Sequence, residues 1–197
     1  MSRKVHRVPV SLDSRGIEPL SEPEIALILR GADDLIGTGG RRLLAKILKG
    51  SKEKRLLELE LHQSPAYGAL HELSLDQVMA RIDWLIINGY LRIEYDYRLP
   101  LLVYTNKGWE IEKETFASEK LARLDRQLEE GDPDKTFEWL NDMNPKVIHR
   151  ILDVIADSGD SKYIHALEQW SGSATRKVRG RINGILRNLV GTVSTSG

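Results

Sequence analysis

Seven cations, Arg41, Arg42, Lys46, Lys49, Lys52, Lys54 and Arg55, stand between residues 37 and 56 against a single acid, Glu53. Lysine and arginine at this density suit an anion of repeated charge, and a nucleic-acid backbone is such an anion whatever its base sequence. Gly50-Ser51 interrupts the run. A helix starting after that turn would present free backbone N–H groups to a phosphate, with Ser51 capping or donating and Lys52, Lys54 and Arg55 adding charge. The alternative reading is a helix C-cap followed by a solvated charged turn. Arg41 and Arg42 follow Gly37, Gly39 and Gly40. That spacing would let backbone and guanidinium approach one phosphate together, or it would form a plain loop carrying exposed arginines.

Other chemistries find little support. With no cysteine there is no disulfide framework and no thiolate zinc site, and the five histidines show no ligand spacing, so no metal is expected. "GTGG" precedes no Gly-Lys and follows no strand, so it is not a nucleotide fingerprint. No serine, histidine and acid constellation points to a hydrolase. The expectation is a non-enzymatic protein without a cofactor. Lys and Arg balance Asp and Glu at 29 each, yet no acid follows Glu168, where Arg176, Lys177, Arg179, Arg181 and Arg187 gather. The absence of a long apolar run or a secretory signal points to a cytoplasmic location.

The elements that must position these residues follow from periodicity. Ser21 and Pro23 open a helix; Leu43, Leu44, Ile47 and Leu48 mark a second, stopped by Gly50; and Ser74 caps a third, whose stripe is Leu75, Val78, Ile82, Leu85 and Ile86. "LLELELH" alternates like a strand but is built of helix formers. "LRIEY" and "LLVYT" flank "DYRLP" as a β-hairpin with an irregular tip. Helices followed by a helix and hairpin make a winged helix. A charged helix from Lys113 to Glu130 ends at "GDPD", and four further apolar stripes run from Phe137 to Leu189. A shift of 31 residues lays Lys146, Val147, Arg150 and Ile151 on Lys177, Val178, Arg181 and Ile182, as in a repeated helical hairpin.

"ILKGS", "AYG", "LSLDQVMARIDWLIINGYL" and "LLVYTNKG", in this order and spacing, resemble the RQC winged-helix domain that follows the helicase core of RecQ enzymes. The most specific parts are Leu48 to Ser51, Leu85 to Leu91 and Thr105 to Gly108. The chain resembles the stand-alone minor bacterial branch of that class, with a C-terminal extension similar to HEAT repeats. It lacks the phosphate-binding loop and the cysteine-ligated zinc region of RecQ enzymes, so helicase activity is not implied. The resemblance implies binding to duplex DNA or DNA junctions, with backbone contacts near Gly50-Ser51 and a wing that probes the duplex end.

The expected fold is mainly α with a small β-hairpin wing, an α+β winged helix, plus an all-α helical-hairpin repeat domain. Its expected divisions are an N-terminal segment at 1–36, the winged helix at 37–112, a connecting helix at 113–130, HEAT-like repeats at 131–190 and a disordered tail at 191–197. Candidate DNA-binding residues are Arg41, Arg42, Lys46, Gly50, Ser51, Lys52, Lys54, Arg55, Gln77, Arg81, Tyr95, Tyr97, Arg98 and Lys107. Gln77 and Arg81 lie opposite the core stripe of their helix, as groove-facing residues or a plain solvated face would, while the wing carries Tyr95 and Tyr97, which could stack on bases but more readily pack inward, and Arg98, expected to be exposed and able to stack. The expected partners are duplex or branched DNA, and a protein docked on the helical array, an ATPase being one candidate. Neither a membrane nor a small-molecule substrate is expected. The competing reading is a protein-interaction adaptor, favoured by the near-zero charge and by Glu58, Glu60, Glu72, Asp76 and Asp83 around the patch.

Overall fold

Ser21 opens the first helix, α1 (Glu22–Ala32), by accepting a hydrogen bond from the Glu24 amide, and Pro23 sits in the first turn, where its missing N–H removes nothing. The computed structural model that shows this describes residues 7–131 and 137–195, the last four by backbone alone. The chain divides into two units, residues 1–112 and 113–197. In the first, α2 (Arg41–Lys49) ends at Gly50, whose φ of +74° is the left-handed conformation that closes helices. A single turn follows, α3 (Lys54–Glu58), and then α4 (Leu75–Ile87).

Ser74 and Gln77 form a reciprocal capping box at the start of α4: the Ser74 hydroxyl accepts from the Gln77 amide, and the Gln77 side chain accepts from the Ser74 amide. Replacing Ser74 with alanine is expected to lower stability by about 1 kcal/mol, read as a lower melting temperature with an unchanged far-ultraviolet spectrum.

The wing is an antiparallel pair, β1 (Leu91–Asp96) and β2 (Leu99–Tyr104), in register from Leu91 opposite Tyr104 to Asp96 opposite Leu99. Its tip is the two-residue turn Tyr97-Arg98, tighter than the irregular tip expected, and Tyr97 takes a φ of +50° to make it. On the far edge of β2, the Gly37 amide donates to the Leu102 carbonyl (2.9 Å) and the Leu102 amide to the Gly39 carbonyl (2.8 Å). The glycine loop thus brackets β2.

Two expectations change here. "LLELELH" is helical, with α3 and a 3₁₀ turn at Leu61–Gln63; Leu56 and Leu61 are buried while Leu57 and Leu59 are exposed, so the alternation never lines one face. The division expected at residue 37 is also absent. Ile25, Ile28 and Leu29 of α1 share one core with Leu44, Ile47 and Leu48 of α2, Val78, Ile82 and Leu85 of α4, and Leu91 and Leu102 of the wing.

The second unit holds most of α5 (Asn106–Glu130), then α6 (Pro145–Ser158), α7 (Ile164–Ser173) and α8 (Arg176–Thr195). The stripe at Phe137 and Leu140, expected as a helix, is a 3₁₀ turn (Glu138–Asp142). Trp170 is buried and its indole N–H donates to Asn141 Oδ1 (2.9 Å), while the Tyr163 hydroxyl donates to Asp125 (2.8 Å). Burial holds the Tyr163 phenol above its ordinary pKa, with the hydrogen bond to Asp125 adding to the shift. Residues 191–195, expected in a disordered tail, continue α8, since no proline stops a helix that gains one hydrogen bond per added residue. Residues 196 and 197 lie outside the described residues. Among the described residues no helix is long and apolar enough to cross a membrane.

Candidate nucleic-acid interface

The Gly50-Ser51 turn is built by contact with a second glycine turn. A side chain at Gly50 would meet the Gly68 Cα at 3.0 Å, and Gly68 itself has a φ of +71°. The Gly68 amide donates to the Ile47 carbonyl (2.9 Å) and the Leu70 amide to the Leu48 carbonyl (2.8 Å), so residues 66–70 cap the end of α2. The Tyr67 hydroxyl donates to the Ser51 carbonyl (3.1 Å). Ser51 Oγ accepts from the Glu53 amide (3.3 Å), a local turn that fixes the approach to α3. The helix expected directly after Ser51 begins instead at Lys54, behind Glu53.

Tertiary packing sorts the seven cations. Lys46 pairs with Glu53 at 2.6 Å, and Arg41 pairs with the buried Asp83, which also accepts from the Asp13 amide (2.9 Å). Lys49 donates to the His71 carbonyl, and Lys54 sits 3.6 Å from Glu58 one turn on, both side chains well exposed. Arg42, Lys52 and Arg55 are exposed, and among the described residues no ion pair engages them. Arg42 and Arg55 line one groove with Leu99, Pro100 and Leu101 of the wing and Val8 to Val10 of the N-terminal arm. Arg41 and Lys46 reach the same groove. The amides of Arg41 and Arg42 open α2 behind Gly40, which has no side chain to cap them.

The remaining candidates are tied into the unit. Arg81 Nε donates to Glu24 at 2.6 Å and its guanidinium to the Gln77 carbonyl at 3.2 Å, while the Gln77 side chain caps α4. The Lys107 ammonium lies 3.6 Å from the centre of the Tyr90 ring and donates to the Asn88 carbonyl (3.2 Å). The Tyr95 hydroxyl donates to the Val8 carbonyl (2.9 Å), and the Arg7 guanidinium stands 4.9 Å from that ring's centre. The Val8 amide donates to the Arg98 carbonyl (3.1 Å). Tyr97 is 70% exposed at the wing tip and Leu99 61%. Residues 8 to 10 of the groove escape a reading of the sequence, because an extended arm without periodicity has no signal there.

Thr105 to Gly108 joins the wing to α5 through one hydroxyl. Thr105 Oγ1 donates toward the Gly89 (2.7 Å) and Tyr90 (3.0 Å) carbonyls and accepts from the Gly108 amide (3.1 Å). The Tyr104 phenol donates to the Leu29 carbonyl (2.9 Å), and burial, then the Glu112 and Asp33 carboxylates, hold it far above its ordinary pKa.

A family model for the RQC domain matches residues 24–125, more than half of the chain. The chain belongs to this family. The match takes in α1 and part of α5 as well as the winged helix, in agreement with the shared core of the first unit. Over 69 residues the chain is 32% identical to the ATP-dependent DNA helicase RecQ of Bacillus subtilis (strain 168). That alignment covers 35% of this chain and 12% of the helicase. No solved structure matches the chain.

Proposed function

We propose that the RQC unit is a non-catalytic binder of duplex DNA that grips phosphates through Arg42, Lys52 and Arg55 and meets duplex ends or junctions with its wing. The observation that carries this reading is the groove that Arg42 and Arg55 share with Leu99, Pro100 and Leu101 of wing strand β2. Cations without an internal partner give up no ion pair on meeting a phosphate, whereas Arg41 and Lys46 would have to leave Asp83 and Glu53. The α2 amides add a partial positive charge to the same groove. Tyr97 and Leu99, exposed at the tip, offer a surface for stacking on a terminal base pair. The family and its helicase relative support DNA as the polyanion. The second unit, whose helices α6 and α8 begin 31 residues apart at Pro145 and Arg176, is read as a HEAT-like pair.

Gel shifts with forked, blunt and closed-hairpin DNA of one sequence, at about 50 mM salt, test the proposal. Fork and blunt end are expected to bind with little dependence on sequence, since phosphate contacts carry no base information, and the closed hairpin more weakly. Changing Arg42, Lys52 and Arg55 together to glutamine should flatten the log-log salt slope by about 2.7, roughly 0.9 for each lost phosphate, at an unchanged melting temperature. No shift with any of the three DNAs would overturn the proposal. It would favour the adaptor reading, which has one observation of its own: Leu57 and Leu59 are 42% and 53% exposed beside the patch.

A further inference from the structure

The acid-free C-terminal stretch has no role in the groove of the RQC unit. Its cations fall on α8, which buries Val178, Ile182, Ile185 and Leu189 along one face. Residues 176, 180, 184 and 187 follow helical spacing and lie on the opposite face, so Arg176 and Arg187 bracket Gly180 and Gly184. Lys177 borders the same face, whereas Arg181 is turned toward α6 and pairs with Asp153 there. Arg179 points elsewhere: its guanidinium donates to the carbonyls of Ser171, Gly172 and Ala174 and closes the end of α7.

Two comparisons set this face apart from that of α6. Over α6 the two cations Lys146 and Arg150 are balanced by Asp153 and Asp157, but the residues 31 further on, Gly184 and Asn188, are neutral. The positions of Lys146 and Arg150 keep their charge as Lys177 and Arg181. Glycine inside a helix is unfavourable relative to alanine, and a side chain at Gly180 or Gly184 would meet nothing within 4 Å. Among the described residues nothing packs against these glycines. Glycine on an outer face lets another chain's backbone approach closely. Arg176, Lys177 and Arg187 are exposed with no ion pair among the described residues, and only Arg181 is engaged, by Asp153. The imidazole of His149 on α6 is held below its ordinary pKa by burial and then by the charges of Arg181 and Lys177.

We propose that the outer face of α8 is a second nucleic-acid surface, on which Arg176, Lys177 and Arg187 hold the phosphodiester backbone of a duplex while Gly180 and Gly184 let it approach the helix closely. The eleven helical steps from Arg176 to Arg187 span roughly 16 Å, the length of about five base-pair steps at 3.4 Å each. This inference rests on the reading of the chain as a duplex binder.

The test uses the full chain and a blunt duplex at several salt concentrations. R176Q/K177Q/R187Q should flatten the log-log slope by about 2.7 beyond any change made by substitutions in the RQC groove, with the melting temperature unchanged. G180A/G184A should raise the melting temperature yet weaken binding several-fold, a divergence that a merely structural role would not produce. A slope that is unchanged in the α8 variant but flattened in R42Q/K52Q/R55Q would overturn this inference alone. The reverse pattern would overturn the RQC groove and leave α8 as the binding surface. A wild-type chain that binds no duplex would overturn both.

Discussion

Alanine at position 108 is expected to destabilise the protein by about 3 kcal/mol, a loss on the order of 10 °C in melting temperature. The sign is the opposite of the ordinary one, because replacing glycine with alanine inside a helix stabilises by about 1 kcal/mol. Gly108 lies in the first turn of α5, and a Cβ there would run into the Tyr90 carbonyl oxygen and stand 2.9 Å from its carbon. Both are backbone atoms at the start of the wing, and the same carbonyl accepts from the Thr105 amide (3.2 Å) and from the Thr105 hydroxyl. Relief would require α5 and β1 to part, breaking the Thr105 junction that links them. Gly180, where a Cβ meets nothing, is the matched control, and alanine there should raise the melting temperature. A stable G108A protein would show that the wing and α5 separate easily. In that case the wing could not hold a fixed position beside the α2 groove.

The elements that the sequence made legible are those whose signals are local. Ser74 with Gln77, Gly50 after a four-residue apolar stripe, and two β-rich runs around a short turn each declare a boundary within a few residues. The motif Thr105 to Gly108 was legible as a resemblance, but its reason was not: the contact between Gly108 and Tyr90 joins residues 18 apart and depends on how α5 crosses the wing. The cationic run was legible as a count and misleading as a site. Its one local acid, Glu53, does pair within the run, with Lys46, but Arg41 finds Asp83 at a separation of 42 residues. Arg81 likewise finds Glu24, 57 residues away. Periodicity tells which residues face a core and says nothing of which charges meet across it. The separation between Arg42 and Arg41, adjacent in sequence and opposite in role, follows only from the position of α4.

Asp83 to alanine is the second large effect expected, about 3 kcal/mol of lost stability. Asp83 is nearly fully buried, with 6% of its side chain exposed, and it answers both the Arg41 guanidinium and the Asp13 amide. Its removal leaves a largely buried cation, with 18% of its side chain exposed, without its carboxylate, along with an amide that has lost its acceptor. Replacing both partners with apolar residues, R41M/D83L, should recover most of the loss, because the cost lies in the unpaired charge rather than in the absence of the pair. D83A alone also probes function. Arg41 borders the groove with Arg42, so once freed from Asp83 it becomes available to a phosphate. D83A is therefore expected to bind duplex with a log-log salt slope steeper by about 0.9, even as its melting temperature falls. R41Q should lower the melting temperature and leave the slope as it is, while R42Q should do the reverse. If D83A and R41Q both melted like the wild type, Arg41 would be a solvated groove cation, and the assignment of the phosphate contacts to Arg42, Lys52 and Arg55 would have to widen to include it.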